Sequence, residues 1–224
     1  MYSKKCVLFF ILLFSAFSFK SVNAEVVFEM QWGDSSMFNS PNCAIADSGS
    51  GNIYISDCLN SRIKIFDNNG NLLSQWGNTG SADGQIWAPN NMAFDNLNNN
   101  IYIADNYFCR IQIFSKTGTY IAKFNHSWLG IQYIGGMAVD KDGFVYISDS
   151  KNNRILKFTA DGSFSEIWLS NNYPNVTLNY PTGIAFNNSY NAFYIIDNRN
   201  NRILKYSMNK TLLGFWGTAG NGNW

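Results

Sequence analysis

The sequence predicts an all-β chain built from repeated four-stranded antiparallel units, and three observations predict it. A tyrosine, an aspartate three places on and an arginine five places further recur four times, as Tyr54/Asp57/Arg62, Tyr102/Asp105/Arg110, Tyr146/Asp149/Arg154 and Tyr194/Asp197/Arg202. The copies lie 48, 44 and 48 residues apart, a period that marks stacked supersecondary units. The chain is rich in aromatics, at 17%, and in asparagine, types that favour strands and turns respectively. Nothing after residue 24 has the periodicity of a long amphipathic helix.

Each repeat reads as four short strands. In the third copy, GGMAVD (135–140) is an apolar run, KDG a turn, and FVYISD (144–149) an alternating segment. The loop SKNN then leads to RILKF (154–158), and Asp161-Gly162 to SFSEIW (163–168). Period-two patterns bounded by Gly, Asn and Asp are strand and hairpin signals. Asn69-Gly70 and Thr117-Gly118 fill the last turn in the first two copies, where positive φ suits a tight hairpin. Four antiparallel strands per unit, with few charges inside them, describe the blades of a β-propeller. The repeats span about 39–77, 87–124, 133–168 and 180–217. Asp47, Asp95, Asp140 and Asn187 end the first strands, where they cap the following turn.

The first 24 residues are set apart as a signal peptide. Lys4 and Lys5 precede an apolar run of about fourteen residues, and Val22-x-Ala24 supplies a small-residue cleavage site, the three-part layout of a secretory signal. The run is short of the ~20 residues that span a bilayer, so no membrane span is expected once it is cleaved. Loss of Lys4, Lys5 and Lys20 takes the formal charge from +1 to −2. That balance, with secretion, excludes a nucleic-acid partner. The propeller domain is then 25–224. A secreted chain exposes four N-x-S/T sequons to glycosylation, at Asn125, Asn175, Asn187 and Asn209.

The stretches NIYISDCLNSRIKIFDNNGNLLSQWG (52–77) and GFVYISDSKNNRILKFTADGSFSEIW (143–168) resemble NHL repeats, the propeller repeats named for an Asn-His-Leu signature. The linker GNTGSADGQIWAPNNMAFD (77–95) is similar to that family's inter-blade linker. The resemblance covers 25–224. It departs at the signature histidine, replaced by Ser61, Cys109, Asn153 and Asn201, and at Phe108, where the other copies hold Asn60, Asn152 and Asn200. These loop positions are expected to bear on surface recognition rather than on the fold. The resemblance implies six blades. VVFEMQWG (26–33) resembles an outer strand, yet the fourth repeat already has its own in TLLGFWG (211–217). The chain therefore reads as part of a six-bladed ring cut before about two more blades.

The Tyr/Asp/Arg triplets read as framework. An aspartate at a strand end accepts loop N–H groups and pairs with an arginine five residues on, and strict recurrence is at odds with differentiated catalytic roles. No catalytic, metal-binding or cofactor-binding residue is assigned, and no cofactor is expected. The one histidine, His126, lies in a sequon, which leaves no zinc set and no Ser-His-Asp arrangement. Propeller lyases that resemble the family use several histidines around a metal, which this sequence does not supply.

Three cysteines remain after signal cleavage: Cys43, Cys58 and Cys109. With a turn between Ala46/Asp47 and Asn52, Cys43 faces Cys58, and a disulfide is expected there; Cys58–Cys109, between equivalent loops of adjacent blades, is the alternative. The candidate ligand face comprises Asn60, Tyr107, Phe108, Lys151, Asn152, Arg199 and Asn200, with Trp87 and Tyr180 in the linkers. Tyr107-Phe108 is the most unusual pair, since aromatics are favoured at interface centres; packing on the neighbouring blade is the plainer reading. The expected function is a secreted, non-catalytic module binding a protein or peptide, or else a glycan. The rival is a fragment of a propeller-type metal-dependent lyase or hydrolase whose catalytic residues lie in missing blades.

Overall fold

The computed structural model describes residues 36–125, 127–173 and 176–217. The signal peptide, the 26–33 strand, His126, Asn175 and the segment 218–224 lie outside them. The chain forms four antiparallel sheets, each of four strands consecutive in sequence and in space. The first sheet holds β1 (Pro41–Ala46), β2 (Ile53–Asp57), β3 (Arg62–Phe66) and β4 (Leu72–Trp76). The second holds β5 (Asn91–Asp95), β6 (Asn100–Asp105), β7 (Arg110–Ser115) and β8 (Tyr120–Phe124). The third holds β9 (Ile134–Val139), β10 (Val145–Asp149), β11 (Arg154–Phe158) and β12 (Phe164–Ser170). The fourth holds β13 (Pro181–Asn187), β14 (Ala192–Asp197), β15 (Arg202–Ser207) and β16 (Leu212–Trp216). The sheets stand as blades in a ring, with the inner strands β1, β5, β9 and β13 side by side in that order. The fold is a β-propeller.

The hydrophobic core is divided into slabs between blades. Tyr54, Ile63 and Ile65 of the first sheet pack on Phe94, Ile101 and Ile103 of the second. Tyr102, Ala104 and Ile111 meet Val145, Ile147 and Leu156 of the third. Tyr146, Ile155 and Trp168 meet Phe193, Ile195 and Leu204 of the fourth. Both faces of a middle blade are therefore apolar, which is why Ile101, Tyr102, Ile103 and Ala104 run together in sequence. Each large side chain buried this way contributes about 1.5–3 kcal/mol. The repeat tyrosine also bonds across or along its sheet: the Tyr102 hydroxyl donates to Ala160 O in the next blade at 2.8 Å, and that of Tyr146 to Asp140 Oδ2 at 3.0 Å.

Turn chemistry follows the sequence. Asp47 Oδ1 accepts from Gly49 N at 2.8 Å, Asp95 Oδ1 from Leu97 N at 2.9 Å, Asp140 Oδ1 from Asp142 N at 2.9 Å and Asn187 Oδ1 from Tyr190 N at 3.1 Å. The four residues cap the first hairpin of each blade. The outer hairpins turn through a left-handed residue, Gly70 in the first blade and Lys210 in the fourth.

The expected Cys43–Cys58 disulfide is not formed, and Cys43, Cys58 and Cys109 are free thiols. The register explains it. Ala44 pairs with Ile55 and Ala46 with Ile53, so Cys43 lies level with Ser56, whose Oγ accepts its N–H at 2.9 Å. Cys58 falls two places further on, past the end of β2, in the 3-10 turn Cys58–Asn60. The turn falls where the sequence placed it, with Asp47 N donating to Asn52 O at 2.9 Å, but the pairing it sets is two residues away from the one that would put Cys43 opposite Cys58.

Candidate interaction face of the loops

Each second strand ends at the repeat aspartate, and the chain reverses into the arginine that opens the third strand. In blades one, three and four the reversal is a single 3-10 turn closed by a left-handed residue: Ser61, Asn153 or Asn201. Cys109 takes the same conformation in blade two, with φ 49°. The NHL resemblance sets its signature histidine at these positions. Their conformation disfavours most side chains by about 1–2 kcal/mol and is tolerated best by Gly and Asn. Two of them also reach the following linker: Ser61 Oγ accepts Ala88 N at 3.4 Å and Asn153 Oδ1 accepts Tyr180 N at 2.7 Å. They therefore bear on the fold, contrary to the sequence reading, because the loop that turns each blade also ties it to the next linker.

The aspartates are fully buried and each is clamped from several sides. Arg62 Nε meets Asp57 Oδ2 at 2.7 Å, Arg110 Nη2 meets Asp105 Oδ2 at 3.1 Å, Arg154 Nε meets Asp149 Oδ2 at 2.9 Å and Arg202 Nε meets Asp197 Oδ2 at 2.7 Å. The linker that precedes the blade supplies further donors, with Asn39 N on Asp57 Oδ1 and Asn179 N on Asp197 Oδ1, both at 2.6 Å. The arginines close the circuit on linker carbonyls: Arg110 on Ser81 O at 2.6 Å and Gln85 O at 2.8 Å, Arg154 on Leu129 O, and Arg202 on Thr177 O at 2.8 Å. Asp149 Oδ1 alone among these carboxylate oxygens is buried without a hydrogen-bond partner. The third linker makes a 3-10 turn at Ser127–Leu129 instead.

Three residues of the candidate ligand face belong to this clamp. Asn60, Asn152 and Asn200 donate from Nδ2 to the Oδ2 of Asp57, Asp149 and Asp197, at 2.9, 2.8 and 2.8 Å. Their amides are committed to the loop, and the recurrence of asparagine three places after three of the four aspartates was the signal for it. Phe108 breaks the pattern. Its ring lies against Arg110, 5.0 Å from the guanidinium carbon, a cation–π contact in place of an amide hydrogen bond.

The second blade thereby presents an aromatic platform. Trp87, from the linker, stacks on Tyr107 with ring centres 5.3 Å apart and planes 26° apart. Tyr107 meets Phe108 edge to face at 5.0 Å. Tyr107 is 69% exposed and Trp87 41%. The base beneath is rigid: Gln112 Nε2 donates to Gln85 O at 2.6 Å, its Oε1 accepts Gly84 N at 2.9 Å, and Trp87 N donates to Asp105 Oδ2 at 3.3 Å. A second stack, Tyr133 on Tyr180, has centres 6.5 Å apart, with Arg199 over Tyr180 at 4.5 Å. Tyr133 escaped the sequence reading; its place just before an inner strand, like that of Tyr180, was the available clue. Lys151 is exposed. Among the described residues no group of three or more His, Cys, Asp or Glu is placed to hold a metal ion.

Residues 42–160 match the family described as 6-bladed beta-propeller, and the chain belongs to that family. No curated protein sequence matches the chain. Among solved structures, virginiamycin B lyase from Staphylococcus aureus superposes with a TM-score of 0.60 at 16% identity, covering 81% of this chain and 56% of that one. A streptogramin B lyase gives a TM-score of 0.60 at 20% identity, covering 82% and 56%. A catalytically inactive variant of the staphylococcal enzyme with quinupristin gives a TM-score of 0.60 at 16%, covering 80% and 56%. At such identities the likeness is one of fold. The chain spans 56% of the length of each of these structures.

Proposed function

We propose that the protein is a secreted, glycosylated propeller of NHL type that acts as a non-catalytic binding module for a protein or peptide ligand. The observation that carries this reading is the Trp87–Tyr107–Phe108 platform, an exposed aromatic cluster on an immobilised linker. Aromatic anchors held rigid before binding lose little entropy on association. The four loop aspartates are buried beneath arginines, so this face offers a ligand rings and the cations of Lys151 and Arg199 rather than free carboxylates.

The test is retention of polypeptides from the extracellular fluid of the organism on immobilised mature protein. A specific polypeptide retained by the native protein and lost with Tyr107→Ala plus Phe108→Ala supports the reading. Equal retention by the double variant, or retention abolished by glycosidase treatment of the fluid, overturns it. The names of the structural neighbours give the rival, a lyase. Incubation with quinupristin, the compound named with one of them, is expected to leave that compound intact.

A further inference from the structure

The loop between the second and third strands reverses around the residue two places after the repeat aspartate. In blades one to four that residue is Leu59, Tyr107, Lys151 and Arg199. All four side chains are exposed, Leu59 at 64% and Tyr107 at 69%. The inner strands stand side by side in chain order, so the two apolar tips are neighbours and so are the two cationic ones. The loop face is thereby divided. Its apolar half, on blades one and two, is widened by Trp87 and Phe108, and its cationic half lies on blades three and four.

Lys151 and Arg199 differ from the other basic side chains. Among the described residues every other lysine is engaged. Lys116, Lys123, Lys141 and Lys210 meet carboxylates, Lys64 donates to Met37 O, and Lys157 and Lys205 lie over the rings of Phe144 and Tyr190. The other arginines are committed to the repeat aspartates. Neither Lys151 nor Arg199 has a carboxylate partner among the described residues. Arg199 lies over Tyr180, which is itself stacked on Tyr133. A guanidinium held by its flat face keeps the donors along its edge, whose fork matches a carboxylate. No acidic group of this end competes for them. The repeat aspartates are buried, and Asp83 in the linker is held by Lys123. Asp47, Asp67, Asp95, Asp140, Asp142 and Asp161 lie at the opposite end of the strands, in the first and outer hairpins.

We infer that this face takes an acidic polypeptide segment with an apolar anchor. An aromatic or large aliphatic side chain of the segment seats on Trp87, Tyr107 and Phe108 beside Leu59, and its Asp or Glu side chains meet Lys151 and Arg199. This ligand class rests on the reading of the face as polypeptide-binding and adds the ligand's composition and polarity. The division of the face fixes direction, because a reversed segment would set carboxylates on rings and an apolar side chain among cations. A single-stranded nucleic acid is the competing occupant, since bases stack on rings and phosphates meet cations. Two unpaired cations make it the weaker fit for a chain that carries a charge at every nucleotide.

Selection from a random peptide library displayed on phage, against the immobilised mature protein, tests this. Enriched peptides are expected to hold an aromatic or large aliphatic residue together with Asp or Glu. A synthetic copy is expected to bind about tenfold more weakly to Lys151→Gln plus Arg199→Gln, at an unchanged thermal midpoint. Selection on Lys151→Glu plus Arg199→Glu is expected to exchange Asp and Glu for Lys and Arg. Enriched peptides without acidic residues, lost with Tyr107→Ala plus Phe108→Ala but bound equally by the glutamine variant, overturn the inference and leave the polypeptide-binding reading standing. No enrichment over the blank support overturns both. An oligouridylate bound more tightly than the peptide, and lost with the glutamine variant, assigns the cations to a nucleic acid and overturns the inference.

Discussion

Phe108 lies over Arg110, 5.0 Å from the guanidinium carbon, in the place where three other blades set an asparagine amide on the buried aspartate. One substitution both removes a clamp donor and creates the base of the aromatic platform. Replacement of Phe108 by asparagine should restore the amide contact to Asp105. The unfolding free energy is expected to stay within about 1 kcal/mol of the native value, the size of a single net hydrogen bond, while ligand retention is lost. Urea unfolding together with the retention assay separates the two. A loss well beyond that range would show that the ring itself holds the loop.

The clamps should differ in strength because water reaches them differently. Arg110 is 6% exposed and Arg62 29%, over equally buried aspartates. Arg110→Ala leaves a buried carboxylate and several linker carbonyls unpaired and is expected to cost about 3–5 kcal/mol. Arg62→Ala should cost about 1.5–3 kcal/mol, the range for a hydrogen bond to a charged group. Urea midpoints at unchanged m-value give the comparison.

The same two aspartates should respond to acid in opposite senses. Burial pushes Asp57 up, but the N–H of Asn39, the Asn60 amide and Arg62 together outweigh it and hold its carboxyl below the ordinary 3.8. For Asp105 burial prevails over Arg110 and the N–H groups of Phe108 and Trp87, and its carboxyl is raised. By linkage, Asp57 contributes stability that is present above its unfolded pKa and lost as pH falls through its lower folded value. Asp105 is the reverse: the folded state takes up its proton first, so this group adds stability as pH falls through its raised folded value. Asp57→Asn should therefore flatten the loss of stability between pH 5 and 3 on the order of the carboxylate range, and Asp105→Asn should steepen it. Thermal unfolding across that interval decides the sign.

The thiols differ in setting: Cys58 is buried, Cys43 half-buried under Met92 and Ser56, and Cys109 exposed. Desolvation pushes Cys43 up to about 11, and burial with the neighbouring Asp57 charge raises Cys58, whereas Cys109 is exposed. Cys109 should alkylate rapidly in the native protein, and the other two only on unfolding. Because Cys109 sits at φ 49°, Cys109→Asn should be neutral or stabilising and Cys109→Val should cost about 1–2 kcal/mol. A fast reaction at Cys43 would contradict the packing around Met92 and Ser56.

The exposed sequons are the expected glycan sites. Asn125 and Asn209 are exposed, while Asn187 is half-buried and caps its own turn. Peptide mapping after enzymatic deglycosylation should find occupancy at Asn125 and Asn209 and little at Asn187.

The sequence by itself determined the strands, their order and the spacing that sets each repeat aspartate beside its arginine. Period-two alternation, turn residues and identical offsets are local signals, and each blade is built from contiguous chain, so little depended on distant contacts. The caps at Asp47, Asp95, Asp140 and Asn187 were legible for the same reason. Only the tertiary structure decided what depends on the juxtaposition of segments far apart in sequence. It set the true register that separates Cys43 from Cys58, and it committed Asn60, Asn152 and Asn200 to buried carboxylates. It also brought Trp87 from a linker onto Tyr107, twenty residues away, and left Ile196, Ile203 and Trp216 uncovered. Side chains with the same pattern in every repeat are buried or exposed according to whether a neighbouring sheet lies against them, and the repeat pattern alone does not carry that information.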